Sequence, residues 1–182
     1  MKYENGPQTP SPRTIRVLFV CHGNICRSPM AEFILKDMVE KRGLTDCFEI
    51  ASAATSTEEI WHGHGNPVYS PAAAELRRNG IGKTAYTDFR GKRAIQLVKN
   101  DYNCYDYLIG MDGMNIRNME RMTGHTQVEG KIFKMLSFAG STRDVSDPWY
   151  TDNFEQAYRD IEAGCAGFLR YLEERGLTWE KR

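Results

Sequence analysis

Cys21 and Arg27 are separated by five residues, His22-Gly23-Asn24-Ile25-Cys26, and are followed at once by Ser28-Pro29. Gly23 and Asn24 are residue types that let a backbone turn tightly, and Ser-Pro is a helix start signal. Such a loop curls its N–H groups inward around an anion. A helix N-terminus adds unpaired amides and partial positive charge, and Arg27 adds a planar fork suited to phosphoryl oxygens. The same field favours Cys21 as a thiolate, the form that attacks phosphorus. The spacing alone is also compatible with a half-buried structural Cys beside a surface Arg, so the context has to decide. Ahead of the loop, Ile15, Val17, Leu18, Phe19 and Val20 read as a strand buried on both faces. Strand, tight turn, Arg, Ser and helix start fall in one register, which makes Cys21 a candidate nucleophile.

The elements that would hold this loop follow in order. Ala31, Ile34, Leu35 and Met38 recur at helical spacing, and Gly43 supplies the stop. Phe48 to Ala53 reads as a second strand, giving a parallel pair joined by a right-handed crossover. Thr55 to Tyr69 has no usable period and is expected as a long loop at the carboxyl end of strand two, where loops border a ligand crevice. Ser70-Pro71 caps a helix over Ala72 to Asn79, ended by Gly80. Lys99 to Tyr105 reads as a short helix and Tyr107 to Met111 as a strand with Asp112 at its end. Asn115 to Met122 reads as a helix bounded by Gly124. Ile132, Phe133, Met135 and Leu136 form the last apolar run, read as a strand, and a loop from Ala139 to Asp147 follows. The final helix keeps a 3.6 period through Phe154, Ala157, Tyr158, Ile161, Cys165, Phe168, Leu169 and Leu172 until Gly176. The class is α/β, a three-layer sandwich with a four-stranded parallel sheet flanked by helices. Met1 to Arg13 is polar and Pro-rich and reads as a disordered extension. Residues 14–176 are expected to form one domain, with 177–182 as a tail.

The chain has 182 residues, 41% of them hydrophobic, enough to bury one good core. Lys+Arg and Asp+Glu are equal at 24 each, so no global field argues for nucleic acid or a membrane surface. The basic, aromatic stretch Lys83 to Arg93 is a short cluster of the kind that forms a solvated face. Five Cys without framework spacing, no N-terminal signal and no long apolar run point to a reducing cytoplasm. His62 and His64 flank a Gly but lack nearby Cys or carboxylate partners, so no metal is assigned.

VCHGNICRSPMAE resembles the phosphate loop of the low-molecular-weight protein tyrosine phosphatases, and GNPVYSPA, YDYLIGMD and VSDPWY resemble later stretches of that family in the expected order. The resemblance runs from Ile15 to about Leu172. It implies the strand order 2-1-3-4 and hydrolysis of phosphotyrosine, or of aryl phosphate monoesters generally, without a cofactor. The reaction would pass through a phosphocysteine on Cys21, with Arg27 and the loop residues His22, Gly23, Asn24, Ile25, Cys26 and Ser28 around the phosphate.

Cleaving a phenol from phosphate needs a general acid opposite the nucleophile. Sequence pattern alone does not choose it: Asp147 before Pro148 is either the start of a turn or a carboxyl fixed and partly desolvated by its neighbours. The resemblance implies the acid, since the family carries it in an Asp-Pro-aromatic-aromatic stretch that Asp147-Pro148-Trp149-Tyr150 matches. It also implies that Ser28 hydrogen-bonds the Cys21 thiolate, a role compatible with an N-cap. Asn24 would hold the loop, and Trp61, Trp149 and Tyr150 would wall the pocket, the alternative for Trp61 being an anchor for its own loop. Ile25 stands where relatives resembling arginine phosphatases carry Thr, which points to phosphotyrosine. Cys26 is either a small residue that fits the loop or, as the resemblance implies, a disulfide partner for Cys21. His22 and Lys92 depart from common family patterns, Lys92 lying where many members have a His that supports the loop Asn.

Two enzyme readings and two binding readings compete. A thiol-coupled arsenate reductase would need two further Cys close together, whereas Cys47, Cys104 and Cys165 are widely separated. A phosphocarrier would keep its phosphocysteine, and Arg27 with Asp147 argues for discharging it. A phosphopeptide-binding module has no need of the nucleophile. The expected partners are a phosphotyrosine-containing protein or small aryl phosphate, with inorganic phosphate as product, and the chain is expected as a monomer or weak homodimer.

Overall fold

A computed structural model describes residues 13–177. The extension expected over Met1 to Arg13 falls outside them but for Arg13, and the tail falls outside beyond Leu177. The order is β1 (Ile15–Cys21), α1 (Arg27–Lys41), β2 (Phe48–Ala54), β3 (Ile60–Trp61), β4 (His64–Gly65), α2 (Ser70–Arg78) and α3 (Asp101–Cys104). It continues with β5 (Tyr107–Gly110), α4 (Gly113–Thr123), β6 (Ile132–Lys134), α5 (Pro148–Thr151) and α6 (Phe154–Glu174). The sheet order is β2-β1-β5-β6 with every pairing parallel, so the expected 2-1-3-4 arrangement of the main strands is present.

β1 is central, and its alternation explains the layers. Val17, Phe19 and Cys21 join the core built with α1, α2 and α6, including Ile34, Leu76, Phe168 and Leu172. Leu18 and Val20 face the other way, toward Ile116 and Met119 of α4. Successive side chains of a strand leave on opposite faces, so a run apolar at every position is what a strand covered on both faces requires.

Several elements differ from the sequence expectation. Within Thr55 to Tyr69 lies a two-residue hairpin, β3 with β4, turned at His62 and Gly63, whose φ values of 49° and 78° fit the left-handed corner of a tight hairpin. Two-residue strands are too short to show alternation. The fourth strand stops at Lys134, and Met135–Ala139 continues as a 3-10 turn, because Met135 and Leu136 are buried against α6 rather than paired in the sheet. The third strand ends at Gly110, and the short helix shrinks to α3. α5 is a single helical turn started by Asp147 itself, in a position the sequence assigns to loop.

Candidate active site

The loop from Cys21 to Arg27 links the carboxyl end of β1 to the first turn of α1. Its carbonyls are tied outward: Cys21, His22 and Ile25 accept from the N–H groups of Thr55, Ser56 and Tyr69 at 2.9, 2.9 and 2.7 Å. Each peptide is trans, so the N–H on the far side of each of these carbonyls, on His22, Gly23 and Cys26, points the opposite way. That is how a short loop gathers amides toward one centre. Asn24 makes the bend at φ 57°, a left-handed conformation that Asn tolerates better than most residues.

Asn24 is buried and fully engaged. Its Oδ1 accepts from the Ile95 N–H at 3.1 Å, and its Nδ2 donates to Ser28 Oγ and Ser52 Oγ, each at 2.9 Å. Ser28 Oγ lies 3.0 Å from Cys21 Sγ, and the Ser28 N–H donates to the same sulfur at 3.4 Å. Ser28 is not the N-cap; the helix begins one residue earlier, at Arg27, with Cys26 in the cap position. The pull of Cys21 and Asn24 on the hydroxyl accounts for the difference.

Arg27 is 3% exposed, and its guanidinium donates to Asp112 Oδ2 at 2.8 Å, to the Val145 carbonyl at 3.2 Å and to Asp147 Oδ2 at 3.2 Å. Burial works against this charge, but Cys21, Asp147 and Asp112 outweigh it and hold the guanidinium above its ordinary value. Burial, and after it the charge on Cys21, pushes the Cys26 thiol up, so Cys26 stays protonated beside the nucleophile candidate. Asp112 also caps α4, accepting from the Asn115 N–H at 2.7 Å. Asp147 accepts from the Trp149 N–H at 3.1 Å through its other carboxylate oxygen, Oδ1.

Around these groups opens a cleft of about 400 Å³, lined by His22, Gly23, Ile25, Cys26, Arg27, Glu58, Glu59, Asp147, Trp149 and Tyr150. Cys21, Asn24 and Ser28 lie buried behind that surface. Trp61, expected in the wall, stands outside the lining and is 67% exposed. The hairpin that carries it is drawn to the Ala94 segment, where the Ala94 N–H bonds the Asn66 carbonyl at 2.9 Å, and Glu58 and Glu59 take that side of the cleft. His22 pairs with Glu58 at 2.9 Å.

Sequence reasoning passed over Glu58, Glu59, Glu32 and Tyr69. Tyr69 packs against Trp149 and Phe154 with centroids 6.1 and 6.0 Å apart, bracing the aromatic side of the cleft. Glu32 carried a readable signal, an acid one helical turn after Ser28 on the face that Ala31, Ile34 and Leu35 bury.

The comparisons with known proteins agree with this geometry. Residues 16–177 match the family described as low molecular weight phosphotyrosine protein phosphatase. The chain is 38% identical over 162 residues to the low molecular weight protein-tyrosine-phosphatase YfkJ of Bacillus subtilis, covering 88% of this chain and 97% of that protein. The crystal structure of YfkJ superposes with a TM-score of 0.77 at 36% identity, over 93% of this chain and 99% of that one. A low molecular weight protein tyrosine phosphatase from Streptococcus pyogenes superposes with a TM-score of 0.73 at 38% identity, over 87% of this chain and 93% of that one. With the sheet order, the Cys21 to Arg27 loop and these likenesses in agreement, the chain belongs to the low molecular weight phosphotyrosine protein phosphatase family.

Proposed function

We propose that Cys21 attacks the phosphorus of a phosphotyrosine side chain or small aryl phosphate, that Arg27 and the loop amides hold the phosphoryl oxygens, and that Asp147 protonates the departing phenol. The observation that carries this reading is the convergence on one loop of the Cys21 sulfur, the Ser28 hydroxyl at 3.0 Å and the buried Arg27 bonded to Asp147. A phosphate dianion taking the Arg27 fork competes with Asp147 for the guanidinium and places negative charge beside the carboxyl. The phenol leaves as the S–P bond forms. Asp147, then ionised, takes a proton from water, which displaces Cys21 and releases inorganic phosphate.

Ile25 lines the cleft beside Trp149 and Tyr150 and supports an aryl substrate, because an apolar floor between aromatic walls suits a phenyl ring. Cys26 supports reversible oxidation: with peroxide as oxidant, a sulfenic acid on Cys21 condenses with the protonated Cys26 thiol and releases water. All five cysteines are unpaired, in keeping with a reducing cytoplasm, and among the described residues no helix is long and apolar enough to cross a membrane. A monomer or weak homodimer, and one domain over 14–176, complete the proposal.

The test compares hydrolysis of phosphotyrosine, phosphoserine and phosphoarginine peptides, and arsenate reduction, side by side with EDTA present. Phosphotyrosine should be preferred. Cys21→Ser should abolish turnover while vanadate still binds, since the cradle is amides plus Arg27. Near-normal turnover in that variant removes the mechanism.

A further inference from the structure

The turn that carries Asp147 has little beneath it. Within α5 Pro148 is buried, while Trp149, Tyr150 and Thr151 are exposed. The carboxyl end of the turn, Thr151 to Asn153, lines a second cavity of about 560 Å³ together with Pro71, Ala74 and Arg78 of α2, so open space rather than packing separates turn and helix there. What the turn rests on is Tyr69. Its ring meets Trp149 of α5 and Phe154 at the start of α6, with centroids 6.1 and 6.0 Å apart. Its main chain is tied to the phosphate loop, because the Tyr69 N–H donates to the Ile25 carbonyl at 2.7 Å. Tyr69 is also the N-cap residue of α2, and a large ring there would ordinarily count only as packing area for that helix. Its side chain makes no capping bond, however, and is turned toward the acid turn instead.

We propose that Tyr69 is a positioning residue for Asp147: it spans the phosphate loop and the acid turn, and sets the gap between Ile25 and Trp149 in which the substrate ring lies. Ile25 and Trp149 both line the cleft, and one residue holds the backbone of the first and the ring of the second. A tyrosine suits this task, since its ring offers a rigid face at the cost of few rotatable bonds. Trp149 in turn carries the N–H that holds Asp147 Oδ1 at 3.1 Å. The other hold on this carboxylate is Arg27, 3.2 Å from Oδ2. A phosphate group in the loop takes Arg27 for itself, and the Trp149 N–H is then what keeps the acid aimed at the phenol oxygen. Proton transfer needs that oxygen within hydrogen-bond reach, so a displacement of about 1 Å is enough to matter.

The inference rests on the proposed role of Asp147, and the experiment separates the two. It measures kcat/KM across aryl phosphates whose phenols differ in acidity, from p-nitrophenyl to phenyl phosphate, beside thermal melting. A displaced wall costs every ester alike, whereas a displaced acid costs the poor leaving groups most. Tyr69→Ala should therefore steepen the dependence, with phenyl phosphate losing about tenfold more than p-nitrophenyl phosphate. Tyr69→Phe should restore the parent's slope, because the contacts are made by the ring. Added to Asp147→Asn, Tyr69→Ala should steepen the slope no further, since both changes remove one proton donor. Trp149 reports the contact directly: with Trp61→Phe and Trp179→Phe it is the single tryptophan, and Tyr69→Ala should add a fast component to its fluorescence anisotropy decay. A slope in Tyr69→Ala equal to the parent's, whatever the change in melting, overturns the inference and leaves Tyr69 as packing for α2. A slope that stays steep in Tyr69→Phe overturns the route through the ring. If Tyr69→Ala does not fold, Tyr69→Leu, which keeps apolar bulk but no ring, carries the same test. Asp147→Asn without leaving-group dependence is a different failure, that of the proposed acid, and the anisotropy of Trp149 then decides whether Tyr69 holds the turn.

Discussion

Arg27 holds two carboxylates on one guanidinium, and what else binds each of them separates their roles. Asp112 is also the N-cap of α4, a fixed structural post, whereas Asp147 lines the cleft and, among the described residues, its carboxylate has the Trp149 N–H as its one further partner. Asp147→Asn is therefore expected to slow phosphotyrosine hydrolysis by roughly 10²–10⁴-fold and an activated nitrophenyl ester far less, because a good leaving group does not need the proton. The alkaline limb of the kcat/KM profile should flatten in that variant. Asp112→Asn keeps a capping side chain but loosens Arg27, so it should lower activity on both esters alike. Leaving-group dependence that follows Asp112 instead assigns the acid to the other loop. Ile25 is tested by the ratio of two activities. Ile25→Thr puts a hydroxyl into the apolar floor and should raise phosphoarginine hydrolysis relative to phosphotyrosine; an unchanged ratio takes Ile25 out of the selectivity argument.

At the scale of elements, the site depends on how closely helices approach the sheet and its turns. α6 runs against the 3-10 turn after β6 so tightly that a Cβ on Gly167 would stand 2.1 Å from the Phe138 carbonyl oxygen. That oxygen belongs to backbone and cannot swing aside as a side chain can. Gly167→Ala is expected to destabilise the fold by roughly 1–3 kcal/mol, the usual range for overpacking, read as a lower melting temperature with kcat little changed at 25 °C. A melt equal to the parent's shows that the turn gives way. The α6 spacing in the sequence marks a buried face, but Gly167 as the point of closest approach is visible only once Phe138 is placed.

Across the whole molecule, the loop that bears Asp147 is tied back to α6 by one carboxylate. Asp160, 4% exposed, accepts two bonds from Arg143 at 2.9 and 2.7 Å, one from the Ser146 N–H at 3.2 Å and one from Gln156 at 2.9 Å. Burial alone would raise the Asp160 carboxyl; the bonds from Arg143, Ser146 and Gln156 outweigh it and hold the group below the usual range. A depressed carboxyl adds stability that is fully present above the unfolded value of about 3.9 and is lost as pH falls through the lower folded value. Asp160→Asn should thus cost roughly 1–3 kcal/mol near neutral pH, and its melting temperature should converge on the parent's as pH drops below about 4. A gap that stays constant down to pH 3 shows that Asp160 does not act through its charge.

The sequence by itself determined the Cys21 to Arg27 loop, the strand ahead of it, the main helices and the strand order, the last through family likeness. These are local or nearly local properties: a turn needs Gly and Asn at fixed offsets, and a buried face needs a period, so both are written along the chain. Tertiary structure decided the rest. The β3–β4 hairpin and α5 are shorter than any period, and Trp61 left the cleft because its hairpin docks on the Ala94 segment. Ser28 gave up the cap position because Cys21 and Asn24 claim its hydroxyl. The pairing of Arg27 with Asp112 and Asp147, 85 and 120 residues away, and of Ser52 with Glu32, arises only when parallel strands bring their carboxyl ends to one edge of the sheet. Hydrogen bonds between distant side chains leave no spacing in a sequence, because their partners are chosen by the folded chain.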